Sequence, residues 1–263
     1  MSNASGKRKG VRPNRPLWNF GQRPKGRTHR NRRLSWIRKT PFKMILGIIC
    51  VFLLFEIFTL PIFSIFSLDT DNPKRTALMQ QRMEEAKEQG KSMRIKHRWV
   101  PLSKIPKHVR MAVLVAEDGA FFSHAGVDWH EVGESLETNW EQGRIVRGGS
   151  TITQQLAKNL YLSTSRDPIR KLKELLITWM LEARLKKNRI LELYLNIIEW
   201  GPGVFGIEAA AQRHFHKPAV QLTRKEGARL AAVIPSPLRR RPTDDNDYVN
   251  NKAQLILKRM STR

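Results

Sequence analysis

The stretch VAEDGAFFSHAGVD, residues 115–128, crowds three carboxylates, two phenylalanines and a histidine into fourteen positions. Glu117 and Asp118 are adjacent, and both aromatics follow within the next four residues. An apolar wall beside a carboxyl raises its pKa toward the range where it works as a general acid or base. Proton transfer is therefore the chemistry these residues suggest, and a charged turn after an apolar helix is the plainer alternative. His124 has no second His or Cys at ligand spacing, which favours a hydrogen-bonding role over a metal.

Further along, GGSTITQQLAKNLYL reads as a glycine turn feeding a helix, with Thr151 at the N-cap and Gln154 three residues on as its capping-box partner. Gly148 and Gly149 would let a ligand approach the backbone, and free amides with the helix dipole would suit an anion such as phosphate. The Gly-Lys-Ser/Thr ending of a P-loop is absent. Helical spacing brings Thr151, Gln155 and Lys158 near one another. On the next helix Arg170 and Glu174 are four apart, beside Lys171. That is the spacing of an ordinary surface ion pair, and equally of cations that hold a pyrophosphate while one acid orients them.

These residues need a scaffold, and apolar periodicity supplies it from about His97 onward, with Val109, Ala112, Val113 and Ala116 at helical spacing. RDPIRKLKELLITWMLEARL gives Asp167 as cap and Pro168 at the first helical position, with Ile169, Leu172, Leu176, Trp179 and Ala183 down one face. NRILELYLNIIEW, GIEAAAQRHF and TRKEGARLAAVI predict three more helices before PSPLRRRP breaks the run. No stretch alternates convincingly with period two, and no internal repeat is present, so the domain is expected to be mostly α. A helix-turn-helix opening at LTRKEGARLAAV is countered by Pro235 and Pro237, where a recognition helix would follow.

Ahead of this domain, residues 44–68 carry one charge, Glu56, over 25 residues, long enough for a transmembrane anchor. Pro61 is expected to end or kink that helix. Residues 1–43 hold fourteen Lys or Arg and no acid. They read as a disordered basic tail that stays cytoplasmic and adheres to anionic membrane lipids rather than to nucleic acid. The domain that follows would then lie across the membrane, beyond a polar stalk at residues 69–96. Cys50, the single cysteine, lies in the anchor, so neither an internal disulfide nor a cysteine zinc site is expected.

Four ordered blocks carry a family resemblance: EDGAFFSHAGVD, RGGSTITQQLAKNLYLS, RKLKELLITWMLEARLKKNRILELYLNIIEWG and GVFGIEAAAQRHFHKPAVQLTRKEGARLAAVIPSP. Over residues 97–242 the chain resembles the peptidoglycan glycosyltransferases (glycosyltransferase family 51), and within them the single-function, membrane-anchored form. The resemblance implies a mostly α fold with a lysozyme-like core, an apolar membrane-proximal subdomain and a cleft between them.

It also implies polymerisation of lipid II with inversion at the inner membrane, with a periplasmic active site and release of undecaprenyl pyrophosphate. By motif position Glu117 matches the general base and Glu174 the second essential acid. Lys158, Arg170 and Lys171 match the cations at the leaving group. Asp118, Phe121, His124, Thr151, Gln155 and Asn159 match residues that shape or line the cleft.

The growing glycan strand is the implied second substrate, and other wall synthases or division proteins are implied partners. No protein-bound metal is expected, although a divalent cation could accompany the pyrophosphate. Paired carboxylates would also suit a lysozyme-like wall hydrolase, and the basic tail a non-catalytic membrane scaffold. His214 and Arg229 depart from the family pattern. Ser-x-x-Lys and Lys-Thr-Gly are both absent, so no fused transpeptidase is expected.

Overall fold

A computed structural model describes residues 32–144, 148–165 and 167–262. Of the basic tail, residues 1–31 lie outside them, and residues 32–43 open the first helix. The chain divides into two units, Met1–Phe58 and Thr59–Arg263. The first holds helix α1, Arg32–Phe58, whose side chains from Phe42 to Phe58 are largely exposed, with Phe58 at 87%. Such exposure is costly in water and suits lipid, and the run Phe42–Ser67 is long and apolar enough to cross a membrane. The helix stops before Pro61, which caps the short α2, Ile62–Ser67.

The second unit begins at Thr59. In α2, Ile65 turns inward and joins the core with Leu68, just past the helix end, while Phe63 is exposed. The segment expected as a polar stalk contains α3, Ala77–Glu88, capped by the Thr76 side chain. Leu78 and Met79 are buried against Phe205, and Arg82 pairs with the buried Glu199 at 2.9 Å. This segment is therefore packed wall, anchored by a few apolar residues among many charges.

The core is built from α4 (Lys107–Glu117), α5 (Trp129–Glu141), α6 (Ile152–Tyr161), α7 (Pro168–Arg184), α8 (Lys187–Ile197), α9 (Ile207–Phe215), α10 (Arg224–Val233) and α11 (Asp247–Ser261). α4 packs against α10 and α11, and α6 against α7 and α8. The predicted cores of the helices are present, with Thr151–Gln154 and Thr223–Glu226 capping boxes.

A small sheet, invisible to periodicity because its strands are two or three residues long, orders β1 (Lys96–His97), β3 (Val204–Phe205) and β2 (Glu199–Gly201) side by side. β1 runs parallel to β3 and β2 antiparallel to it, with Lys96 opposite Val204. Gly206, at φ 81°, ends this ribbon where a Cβ would fall 2.4 Å from the Asn196 carbonyl oxygen. Only glycine tolerates that approach and conformation.

The stripe Ile169, Leu172, Trp179 and Ala183 on α7 faces outward, with Leu172 at 49% and Trp179 at 46% exposure, and Leu176 is only partly covered. The buried face is instead Glu174, Ile177, Thr178 and Leu181. Periodicity identifies an apolar stripe without saying whether protein, water or lipid will cover it.

Candidate active site

Glu117 is the last residue of α4, where that apolar helix delivers it to the floor of an open cavity of about 1050 Å³. The cavity is lined by Glu117, Asp118, Gly148–Thr151, Tyr248 and Lys252 among others. Burial of the carboxyl raises the Glu117 pKa, opposed by the hydrogen bond from Gln155 and the positive charges of Lys252 and Lys158; Asp118 pushes with burial. Gln155 Nε2 donates to Glu117 Oε2 at 2.9 Å. Its amide can point that way because the fully buried Tyr194 hydroxyl donates to Gln155 Oε1 at 2.9 Å. Burial, then the nearby Glu117 and Asp118, holds the Tyr194 phenol well above its ordinary pKa, so it remains a donor.

Asp118 has a different task. It is buried, it accepts from Ile152 N–H at the start of α6 at 3.0 Å, and it pairs with His124 Nε2 at 3.0 Å. Gly126 N–H donates to His124 Nδ1, which leaves Nε2 as the protonated nitrogen that donates to Asp118. Phe121 is fully buried and edge-on to His124. Asp118, His124 and Phe121 thus fix the loop that follows Glu117. The loop closes tightly over α7, since a Cβ on Gly126, at φ 89°, would sit 2.7 Å from Thr178 Cγ2.

Three of the amides at the start of α6 are taken. Ile152 N–H serves Asp118, Thr151 N–H donates to the Gln154 side chain, and Gln154 N–H donates to Thr151 Oγ1. Thr151 Oγ1 also donates to the Gly126 carbonyl at 2.6 Å. An anion does occupy this helix terminus, and it is the protein's own carboxylate. Thr151 lines the cavity, yet its hydroxyl is spent on the cap, while Gly148 has open space where a side chain would stand.

A second corner gathers on α7. Glu174 is buried and holds Arg170 at 2.6 Å and Lys171, with Asp167 capping the helix just before them. Arg170 Nε also donates to the Ser165 carbonyl. Lys158 connects the corners. Burial lowers its pKa, Arg170 and Lys171 push it further down, and Glu174 and Glu117 oppose them. Asn159 is buried beside it on α6. One α6 helix thereby presents Gln155 to Glu117 and Lys158 to both carboxylates.

Three cations beside Glu174 disfavour a metal there, and among the described residues no three His, Cys, Asp or Glu side chains converge as ligands.

Sequence reasoning missed the last helix. Asn246 caps α11, and Val249, Ala253, Ile256 and Met260 form its buried stripe, a pattern readable in principle just past the proline-rich break. That helix supplies Tyr248, Lys252 and Arg259 to the cavity, and Lys252 is the cation from outside α6 that acts on Glu117. Of the two departures from pattern, His214 Nε2 meets the Trp200 carbonyl at 3.1 Å. The Arg229 guanidinium binds the carbonyls of Pro242 and Asp244 and the Asn250 side chain.

A helical domain with a carboxyl of raised pKa lining an open cleft suits acid–base chemistry on a bound substrate. The chain belongs to the transglycosylase family, whose model, described as Transglycosylase, matches residues 83–261. It is 50% identical over 166 residues to the biosynthetic peptidoglycan transglycosylase of Methylobacillus flagellatus, covering 63% of this chain and 72% of that one. The protein of the same name from Aromatoleum aromaticum is 46% identical over 75% of this chain and 85% of its own. That of Neisseria gonorrhoeae is 43% identical over 72% and 82%.

Proposed function

We propose that this protein is a membrane-anchored peptidoglycan transglycosylase that polymerises lipid II into glycan strands. Glu117 takes the proton from the acceptor sugar's 4-hydroxyl, and the oxygen attacks the donor's anomeric carbon with inversion. The bond from that carbon to the pyrophosphate breaks as the new glycosidic bond forms, and the electron pair leaves with undecaprenyl pyrophosphate. A positioned base contributes about 10²–10⁴-fold to such a step. Lys158, Arg170 and Lys171 meet the negative charge that develops on the leaving group, and Glu174 orients Arg170 and Lys171.

The observation that carries this reading is Lys158, which feels Glu117 on one side and the Glu174 corner on the other. That continuity links a proton acceptor to a cationic exit for an anionic leaving group, which a wall hydrolase acting on a neutral sugar would not need. Fourteen basic residues ahead of the span and none of opposite sign favour a cytoplasmic N-terminus. The catalytic unit then lies in the periplasm at the inner membrane.

The test is the full-length protein in detergent with labelled lipid II, run with and without a chelator, alongside finished lipid-free strands. Polymer should form while the finished strands keep their length. Shortened strands and no polymer would overturn the assignment in favour of a hydrolase, and chelator sensitivity would reveal an ion travelling with the pyrophosphate.

A further inference from the structure

A second cavity of about 490 Å³ opens between the end of α9 and the loop that follows α10, and it shares no lining residue with the catalytic cavity. Arg213 enters it from the last turn of α9, and Arg239, Arg240 and Arg241 enter from the loop. The one carboxylate in its lining is Asp244, whose Oδ2 already accepts from Arg241 N–H at 2.8 Å. Among the described residues none of the four guanidiniums has an ion-pair partner. Four like charges around one concavity repel each other unless an anion joins them.

The loop that gathers them is fixed rather than incidental. Arg229, from within α10, spends its guanidinium on the Pro242 and Asp244 carbonyls and on Asn250. One cation is thus used to hold the chain that displays three others. At the opposite rim α9 ends in His216 at φ 56°, the only non-glycine residue with positive φ among those described. That left-handed turn stops the helix beside Arg213. The positive field is felt locally, since Arg213 and Arg241 reinforce burial in lowering the pKa of His214 in the same wall. A neighbouring cavity of about 580 Å³ shares Arg213 and adds Arg94, Lys96 and Arg98.

We infer that this pocket is a binding site for a multiply charged phosphate-class oxyanion, separate from the catalytic cleft. Guanidinium forks match phosphate oxygens in pairs, and several forks around one cavity call for more charge than a single carboxylate carries. The site also abuts the cleft. The Arg240 guanidinium lies 3.5 Å from the centre of the Tyr248 ring, and Tyr248 lines the catalytic cavity. The stacked pair forms a wall common to both. The anion can arrive free in solution or as a lipid headgroup, and the chemistry recognised is the same.

Inorganic pyrophosphate titrated calorimetrically into the full chain in neutral detergent tests the inference. The Lys158 corner can also bind this probe, so R213Q/R241Q and K158Q are compared with the unchanged protein. R213Q/R241Q should lose one class of sites, or weaken it about tenfold or more, and K158Q should retain that class. Both arginines are exposed, and an unchanged thermal melt confirms that the variant folds.

Flotation with phosphatidylglycerol vesicles against phosphatidylcholine vesicles separates the two sources. Weaker binding of R213Q/R241Q to the former identifies a headgroup, and a defect confined to pyrophosphate identifies a soluble anion. If R213Q/R241Q matches the unchanged protein with both probes, the inference is wrong.

Discussion

Replacing Glu117 by Gln separates the proposed catalytic use of its carboxyl from the cost of desolvating it. The substitution keeps shape and keeps an oxygen that can accept from Gln155 Nε2, now 2.9 Å from the carboxylate. Loss of a positioned base should lower polymerisation about 10²–10⁴-fold, or about 3–5 kcal/mol in the barrier. The effect on stability has the opposite sign. Burial raises the folded-state pKa of Glu117, so between the unfolded and folded values the native state binds the extra proton and stability falls as pH rises.

The penalty is absent below the unfolded pKa and complete above the folded one. Each pH unit between the two costs about 1.4 kcal/mol, or about 3–6 °C in Tm for a unit of this size. E117Q should therefore melt with the unchanged protein near pH 4 and above it at pH 8, while failing to polymerise lipid II. Calorimetry at several pH values, paired with the polymerisation assay, reads both. A Tm difference that does not grow with pH would refute the burial argument, and retained activity would refute the base.

Three further outcomes are expected. Tyr194→Phe removes the donor that orients Gln155; Glu117 then loses a bond that favours its charged form, and the acidic limb of the pH–rate profile should move to higher pH. Gly126→Ala places a methyl 2.7 Å from Thr178 Cγ2 at φ 89° and should cost about 1–3 kcal/mol in a denaturant titration. Arg82→Gln strips the partner from the buried Glu199, whose Oε1 has no hydrogen bond. It should destabilise by about 3–5 kcal/mol. Burial already raises the Glu199 pKa, so chemical denaturation should show a smaller loss at low pH, where that carboxyl is neutral in both states.

What a short window contains was legible in the chain. Thr151 with Gln154, and Asp167 with Pro168, are read correctly as helix starts because a cap is satisfied within about three residues of itself. Arg170, Lys171 and Glu174 are neighbours by helical spacing alone, and they meet. The pairing of Glu117 with Gln155, 38 residues on, has no local signature, and family likeness placed both at one cleft without pairing them. The role of α11 was harder still, because Lys252 looks like any surface lysine until the helix is docked against α4.

Sequence by itself therefore determined most of the core helices, the caps at Thr151 and Asp167, the apolar span and the identity of the charged residues. Tertiary structure decided which environment each of those residues meets. It turned the Ile169, Leu172 and Trp179 stripe outward and buried Glu174. It filled the α6 terminus with Asp118 rather than with a ligand, and it packed Leu78 and Met79 into a wall where the charges around them suggested a stalk. The physical reason is that caps and periodicity arise from bonds within a few residues, whereas burial, and with it the pKa of Glu117, depends on elements far apart in the chain.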